Sequence, residues 1–417
     1  MSLHRSPPLA RTVIALSLLC GLAAPAWADM STEQRLKALE SRLDSLEKEN
    51  QALKGQLQKA EQKVEATGTQ VEKIASQGTS SRAAWAEKTQ LGGYGELHLN
   101  KLNNRKTGGA DKDELDLHRF VLFMGHQFND RLRFFSELEV EHALVKDTTA
   151  GNGPGEVELE QAYLDFTLNN MLSAKAGLFL VPVGIANETH EPPTFYGVER
   201  NPVETNIIPT TWWEGGAALT ARLGNGFTLD GALTSGLKTT AAKKYAVRDG
   251  RLKVAKAMAR DPAYTARLKW TGIPGVELAG TVQYQSDITQ SADVTAGGAR
   301  LYEAHAILNK GPFGLKALYA RWSLDGSGPR AVGADRQNGW FIEPSYKLTE
   351  QWGLFARHSR WDNQAGDGID SRYRQSDIGL NYWPHPDMVL KLDYQKQKAP
   401  AGKDRFDGFN VGVGYQF

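Results

Sequence analysis

From Tyr264 to Tyr284 the chain reads YTARLKWTGIPGVELAGTVQY. Tyr264, Ala266, Leu268 and Trp270 fall on alternate places, as do Val276, Leu278, Gly280, Val282 and Tyr284, while Arg267, Lys269 and Glu277 stand between them. In an extended chain successive side chains point to opposite faces, so each run presents one apolar and one polar face. Gly272 to Gly275 supplies the residues of a tight turn. A strand, a turn and a strand follow, and the fold depends on what the apolar face meets.

Outward from this hairpin the pattern repeats. Ala174, Ala176, Leu178 and Leu180 alternate with polar or small residues; so do Trp340, Ile342, Pro344, Tyr346 and Leu348, and Met388, Leu390, Leu392 and Tyr394. Short turns are expected near Asn129-Asp130, Asn169 to Leu172, Gly224 to Gly226, Gly272 to Gly275, Asn309 to Pro312, Thr349 to Trp352 and Pro384 to Pro386. Longer polar segments lie between them, near 103–114, 143–155, 182–211, 237–262, 286–299, 324–337, 362–371 and 397–405. Seven turns and eight loops make about sixteen antiparallel strands, with both ends on the short-turn side. A soluble sandwich has no reason to alternate its connection lengths, whereas an outer-membrane barrel does, with its short turns in the periplasm. The fold class is therefore all-β: a transmembrane antiparallel β-barrel of about 16 strands over 91–417, with lipid outside and water inside. Trp270, Trp352, Trp361 and Tyr382-Trp383 stand at strand ends, where interfacial girdles would hold them.

Composition agrees. A mean hydropathy of −0.45 excludes a bundle of membrane helices, each of which needs about 20 apolar residues, but permits a barrel in which only alternate residues touch lipid. With 49 basic against 48 acidic residues there is no support for nucleic-acid binding. Arg5 and Arg11 precede the apolar run Val13–Ala24, and Ala26-Trp27-Ala28 offers a cleavage site, so residues 1–28 read as a signal peptide. The single cysteine, Cys20, lies inside it, leaving no thiol for disulfide, metal or nucleophilic chemistry in the mature chain.

Ahead of the barrel the period is 3.5. Leu36, Leu43, Asn50, Leu57, Val64 and Val71 fall at a, with Leu39, Leu46, Leu53, Ala60, Thr67 and Ile74 at d, so 31–77 reads as a coiled coil. Arg35 with Glu40, Arg42 with Glu47 and Glu49 with Lys54 match the g to e′ pairing of parallel identical chains, and Asn50 would set their register. Residues 78–90 form a linker, and the coil, joined to the periplasmic end of the barrel, is itself periplasmic.

The opening strand Gly92-Gly93-Tyr94-Gly95-Glu96, the segment Leu117-His118-Arg119-Phe120, Glu158-Leu159-Glu160-Gln161-Ala162-Tyr163 and Ala176-Gly177-Leu178-Phe179-Leu180-Val181-Pro182-Val183-Gly184 resemble the phosphate-selective porin O and P family, and the likeness covers roughly 90–417. The resemblance implies a trimer of sixteen-stranded barrels, each pore narrowed by an inward loop after the fifth strand. In this chain that loop is 182–211. The C-terminal Phe417, after Phe409, Val411, Val413 and Tyr415, resembles the assembly signal of outer-membrane barrels generally. The family's basic phosphate ladder has no residue-by-residue match here.

No catalytic constellation is present, and no cofactor or metal is expected. His190 with Glu188 and Glu191 reads as loop polarity, and Glu156, Glu158 and Glu160 as a solvated edge. The chemistry expected is that of a pore, where rings of charge set ion preference. The constriction loop offers Glu188, His190, Glu191, Glu199, Arg200 and Glu204, a net acidic set. The polar strand faces offer Arg133, Lys175, Arg222, Arg267, Lys269, Lys316, Lys347, Arg357 and Lys391 against Glu137, Glu139, Asp165, Asp230, Glu277, Glu303, Glu343, Asp377 and Asp393. Loop 237–262 is basic, with Lys243, Lys244, Arg248, Arg251 and Lys253 among its charges, suiting a vestibule or a contact with lipopolysaccharide phosphates or a neighbouring subunit. The expectation is a passive channel for small hydrophilic solutes, leaning weakly to cations from its loop and to anions such as phosphate from the resemblance. Its expected partners are its own copies, outer-membrane lipid and lipopolysaccharide. The rival reading is an envelope tether that holds peptidoglycan through the coil.

Overall fold

The computed structural model describes residues 85–417, apart from 146, 149, 150, 153 and 154, together with scattered helical positions between 33 and 51. The signal peptide, Asn50 and the heptad pairing lie outside the described residues.

Sixteen antiparallel strands close into one barrel. They are β1 (Thr89–Asn104), β2 (Lys112–Asn129), β3 (Leu132–Glu141), β4 (Val157–Thr167), β5 (Leu172–Leu180), β6 (Trp213–Gly224), β7 (Phe227–Thr234) and β8 (Ala263–Trp270). The circuit continues with β9 (Val276–Gln285), β10 (Ala296–Lys310), β11 (Phe313–Gly326), β12 (Arg336–Lys347), β13 (Trp352–Asp362), β14 (Tyr373–His385), β15 (Met388–Lys398) and β16 (Phe406–Gln416). The strand count and the alternation of short turns with long loops are as the sequence predicts. The first strand starts two residues earlier than expected, because Thr89 and Gln90 already pair with His126 and Gly125 of β2.

Closure joins β1 to β16, from Tyr94 opposite Gln416 to Asn104 opposite Phe406. Phe417 completes it: its N–H donates to the Gly93 carbonyl at 2.9 Å, and its carbonyl accepts the Gly93 N–H at 3.0 Å. Gly93 has to be glycine, since a Cβ there would lie 2.2 Å from the Val121 carbonyl oxygen. The turn between β6 and β7 has Asn225 and Gly226 both at positive φ, the geometry that makes Asn-Gly the favoured two-residue hairpin.

Burial is inverted relative to a soluble protein. Charged groups such as Glu137, Arg267, Arg357 and Lys391 are buried, while Leu229, Leu268, Ile342, Leu354, Ile378 and Leu392 are exposed on the outer surface. That outer band is bounded at its turn end by the cross-strand pairs Phe227/Trp270, Phe313/Tyr346 and Trp352/Tyr382. At its loop end Tyr264 stands opposite Tyr284 and Tyr319 opposite Trp340. An apolar belt between two aromatic girdles is the surface a lipid bilayer requires. Trp361 and Trp383 do not belong to it: the first packs in the interior core and the second donates its Nε1–H to the Pro193 carbonyl.

The interior is not wholly polar. Val181, Val183, Val203, Ile207, Ile208 and Trp212 of the first long loop meet Leu237, Tyr245 and Val247 of the second, against Leu301, Trp322 and Phe341 on the inner faces of β10 to β12. Two loops thus fold back into the barrel and bury a hydrophobic core there.

Candidate functional site

Two β-bulges shape the inner wall beside the loops. On β2, Glu96 faces Arg119 but Leu97 faces Leu117, so His118 is an extra residue; on β4, Glu137 faces Gln161 but Leu138 faces Leu159, so Glu160 is extra. A bulge passes the inward position from one parity to the other. Asp116 and Arg119 can therefore both face in, as can Glu158, Glu160 and Gln161. Arg119 Nε lies 2.7 Å from Glu96 Oε1, its Nη1 lies 3.3 Å from Glu139 Oε1, and the His118 ring stacks on His98 at 4.6 Å.

The loop from 181 to 212 crosses this interior, and donors on the wall hold its backbone. Arg357 donates to the carbonyls of Tyr196 and Glu199 at 3.5 and 3.2 Å, Asn381 to Phe195 at 3.1 Å, and Trp322 to Ile207 at 3.0 Å. In the opposite sense Asp393 accepts the Val198 N–H at 2.7 Å. A loop inside a barrel has carbonyls and N–H groups that strands cannot pair, so inward side chains must do so.

The expected constriction residues take different roles. Glu188 is ion-paired with Arg267, which also reaches Asp230 at 2.8 Å. Glu199 meets His98 Nδ1 at 3.2 Å and accepts from Asn100 at 3.2 Å. Glu204 is fully buried: Oε1 accepts the N–H groups of Ile185 and Ala186 at 2.6 and 2.7 Å, and Oε2 accepts from Asn201 at 2.7 Å. Burial pushes its carboxyl up even against these three bonds. Glu204 therefore knots the loop rather than facing solute, a correction to its place in an acidic ring. His190 groups with Glu137 at 3.5 Å and Glu160 at 3.8 Å, not with Glu188 and the half-buried Glu191. Glu160 is correspondingly buried, so the solvated edge expected of 156–160 is corrected at that residue.

Most of the expected lumen cations are engaged. Arg133 meets Asp165 at 2.6 Å, Lys175 lies 4.9 Å over the Tyr163 ring, and Lys316 donates to the Thr194 carbonyl at 3.4 Å. Lys347 lies over the Trp383 ring and Lys391 over that of Phe195, each at 3.4 Å. Arg357 pairs with Asp377 at 3.0 Å and Glu343 at 3.3 Å. Arg222 and Lys269, toward the turn end, have no ion pair among the described residues.

The loop from 235 to 262 does not stand outside as a vestibule. Arg251 donates to the Thr211 carbonyl, and its guanidinium lies 5.4 Å from the Trp213 ring. Lys253 is bonded to Glu156 at 2.5 Å and paired with Glu158. A cavity of about 280 Å³ lies between this loop, the first loop and the bulged wall. Glu199, Arg200, Arg248, Arg251 and Lys253 border it on the loop side, and Glu96, Arg119, Glu141, Glu156, Glu158 and Glu160 on the wall side. Arg200 bonds Thr211 Oγ1 at 2.8 Å, but its Nε and Nη2, like Arg248 Nη1, have no hydrogen-bond partner among the described residues. Burial, then repulsion from Arg251, lowers the Arg248 pKa to about 10, which leaves it a cation at neutral pH.

Three comparisons place this geometry. An uncharacterized protein of Aquifex aeolicus (strain VF5) is 28% identical over 376 residues, covering 78% of this chain and 79% of that one. The anion-selective porin from Comamonas acidovorans superposes with a TM-score of 0.54 at 13% identity, over 79% of this chain and 99% of that one. The outer membrane channel DcaP of Acinetobacter baumannii gives 0.53 at 14% identity, over 79% and 97%. These likenesses show a porin fold, and the family model for phosphate-selective porin O and P matches residues 90–417. The chain belongs to the phosphate-selective porin O and P family and forms an outer-membrane channel for small solutes.

Proposed function

We propose that this channel admits small hydrophilic solutes by passive diffusion and prefers anions, and that the cavity between the two inward loops is its narrow point. One observation carries the preference. Among the described residues Arg200, Arg248 and Arg251 border that cavity without a carboxylate within 4 Å, whereas of the glutamates around it Glu96 is paired with Arg119, Glu156 and Glu158 with Lys253, and Glu199 with His98. A weak lean to cations, expected from counting four Glu against one Arg on the first loop, loses most of its basis once Glu188, Glu199 and Glu204 are engaged in holding that loop. Guanidiniums in a narrow, low-dielectric passage attract anions more strongly than the same groups in bulk water.

Assembly as a homotrimer is part of the proposal. It is supported by the g to e′ charge pattern of 31–77 and by a trimer form among the similar solved porins, that of OmpT from Vibrio cholerae, with a TM-score of 0.51. The test is the reversal potential of single channels across a KCl gradient. Wild type should reverse on the anion side, and Arg200→Gln with Arg248→Gln and Arg251→Gln should move the potential toward cations. A cation-selective wild type would refute the anion preference.

A further inference from the structure

On the outer face of β12 to β15, at the loop end, four cations stand together: Arg360, Arg374, Lys396 and Lys398. Inward side chains on these strands are Gln337, Ser359, Gln375 and Gln395, so the intervening residues point out. The register sets Arg360 directly opposite Arg374, and Arg374 directly opposite Lys398. Like charges directly across strands repel, a cost that an anion outside the sheet would remove. Among the described residues none of these three has a carboxylate within 4 Å. Asp407, opposite Lys396, is already occupied by Arg105 at 3.3 Å and by the Gln397 N–H at 2.9 Å.

The level of the row identifies what could do this. Arg360 is eight residues beyond Trp352 of the turn-end girdle, on the same outward face. At about 3.3 Å per residue and a tilt of about 40°, that is about 20 Å of height, close to the top of an apolar band about 25 Å tall. Trp340 lies opposite Arg360 at this level. Directly below, and sharing His358, Ser376 and Lys396 with the basic cluster, runs an apolar groove lined by Ile342, Ile378 and Tyr394. Cations at headgroup height above an apolar groove match a lipid with phosphate on its headgroup.

We propose that the Arg360–Arg374–Lys398 row binds the phosphate groups of a phosphorylated glycolipid of the outer leaflet, with an acyl chain in the groove beneath. The site lies on the wall opposite to the pore side, so it adds a partner to the channel; it rests on the outer-membrane reading for the identity of that leaflet. Three cations near a lipid surface, Arg374 and Lys398 exposed and Arg360 half-buried, each add to anionic lipid affinity, and their loss should weaken binding by at least about tenfold.

The full-length protein in detergent is to be titrated with bisphosphorylated lipid A, with dephosphorylated lipid A, and with inorganic phosphate as competitor, counting bound lipid by native mass spectrometry. Wild type should retain the phosphorylated form, bind the dephosphorylated form at least about tenfold more weakly, and keep its lipid against millimolar phosphate. Arg360→Gln, Arg374→Gln and Lys398→Gln together should lose that preference, with Arg374→Gln intermediate. Single-channel conductance of the same preparations reports folding and should match wild type. Equal retention of both lipids, unchanged retention by the triple variant, or full displacement by phosphate would overturn the proposal. So would dissociation of the oligomer by the triple variant, which would make the row a contact between copies. A wild type that retains lipid yet carries no current would refute the channel and leave this site standing.

Discussion

Glu199 shows how one charge in a pore loop can serve structure rather than solute. Burial opposes its ionisation, but the bond to His98, then the charges of His98 and His118, hold its carboxyl well below the usual carboxylate range. A depressed carboxyl contributes stability that is fully present above its unfolded value, about 4.3, and is lost as pH falls toward the folded value. The tether of this loop to β1 should therefore hold from neutral pH down to about pH 4 and weaken below it. Open-channel current noise recorded at stepped pH should stay low over that range and rise in acid. Glu199→Gln should be noisy throughout and insensitive to acid in this window. A rise in wild-type noise between pH 6 and 7 would assign the response to a histidine instead. Glu204 repeats the lesson without titration: the sequence shows a carboxylate on a loop, but only the fold shows the two N–H groups and the Asn201 amide that it accepts.

At the scale of elements, β11 (Phe313–Gly326) behaves differently from the hairpin of β8 and β9. Leu318, Ala320, Trp322 and Leu324 face inward and are buried, while Tyr319 faces out. Both faces are apolar over part of this strand because its inner side supports the two folded-back loops. Trp322 is the centre of that support, with its ring 6.1 Å from that of Trp212 and its Nε1–H on the Ile207 carbonyl. Trp322→Ala should cost about 3–5 kcal/mol of unfolding free energy, read from the urea midpoint in lipid vesicles, and should enlarge the single-channel conductance as the loops loosen. An unchanged conductance would mean that the loops are held without it.

The same element explains what the sequence could and could not reveal. Period-two alternation at Tyr264–Trp270 and Val276–Tyr284 made the strands legible, because lipid and water impose opposite demands on neighbouring residues. The strand number and loop order were legible for the same reason. The wall motifs around His118 and Glu160 were visible as motifs, but their inward faces were not, since each bulge shifts the parity on which such a reading depends. The basic loop was legible as charge and misplaced as a vestibule, because composition does not say that Val247 and Tyr245 will draw Arg248 and Arg251 into the barrel.

At the scale of the molecule, the barrel reconciles two requirements that conflict in a soluble protein. Its outer surface is apolar and closed, with Phe417 sealing β16 to β1, so that the sheet offers lipid no open edge. Its interior holds a hydrophobic core on one side and, on the other, a charged cavity bordered by glutamates and by three guanidiniums that have no ion pair among the described residues. As a channel, the barrel must join this cavity to a path open from one end to the other. The most direct test is the single-channel current of the purified wild-type protein in a planar bilayer with symmetric KCl. Uniform, ohmic steps that reverse at zero and scale with salt are the predicted result; a protein that inserts as an intact, heat-modifiable barrel yet passes no current would show that the two loops seal it and that the cavity is no part of a channel.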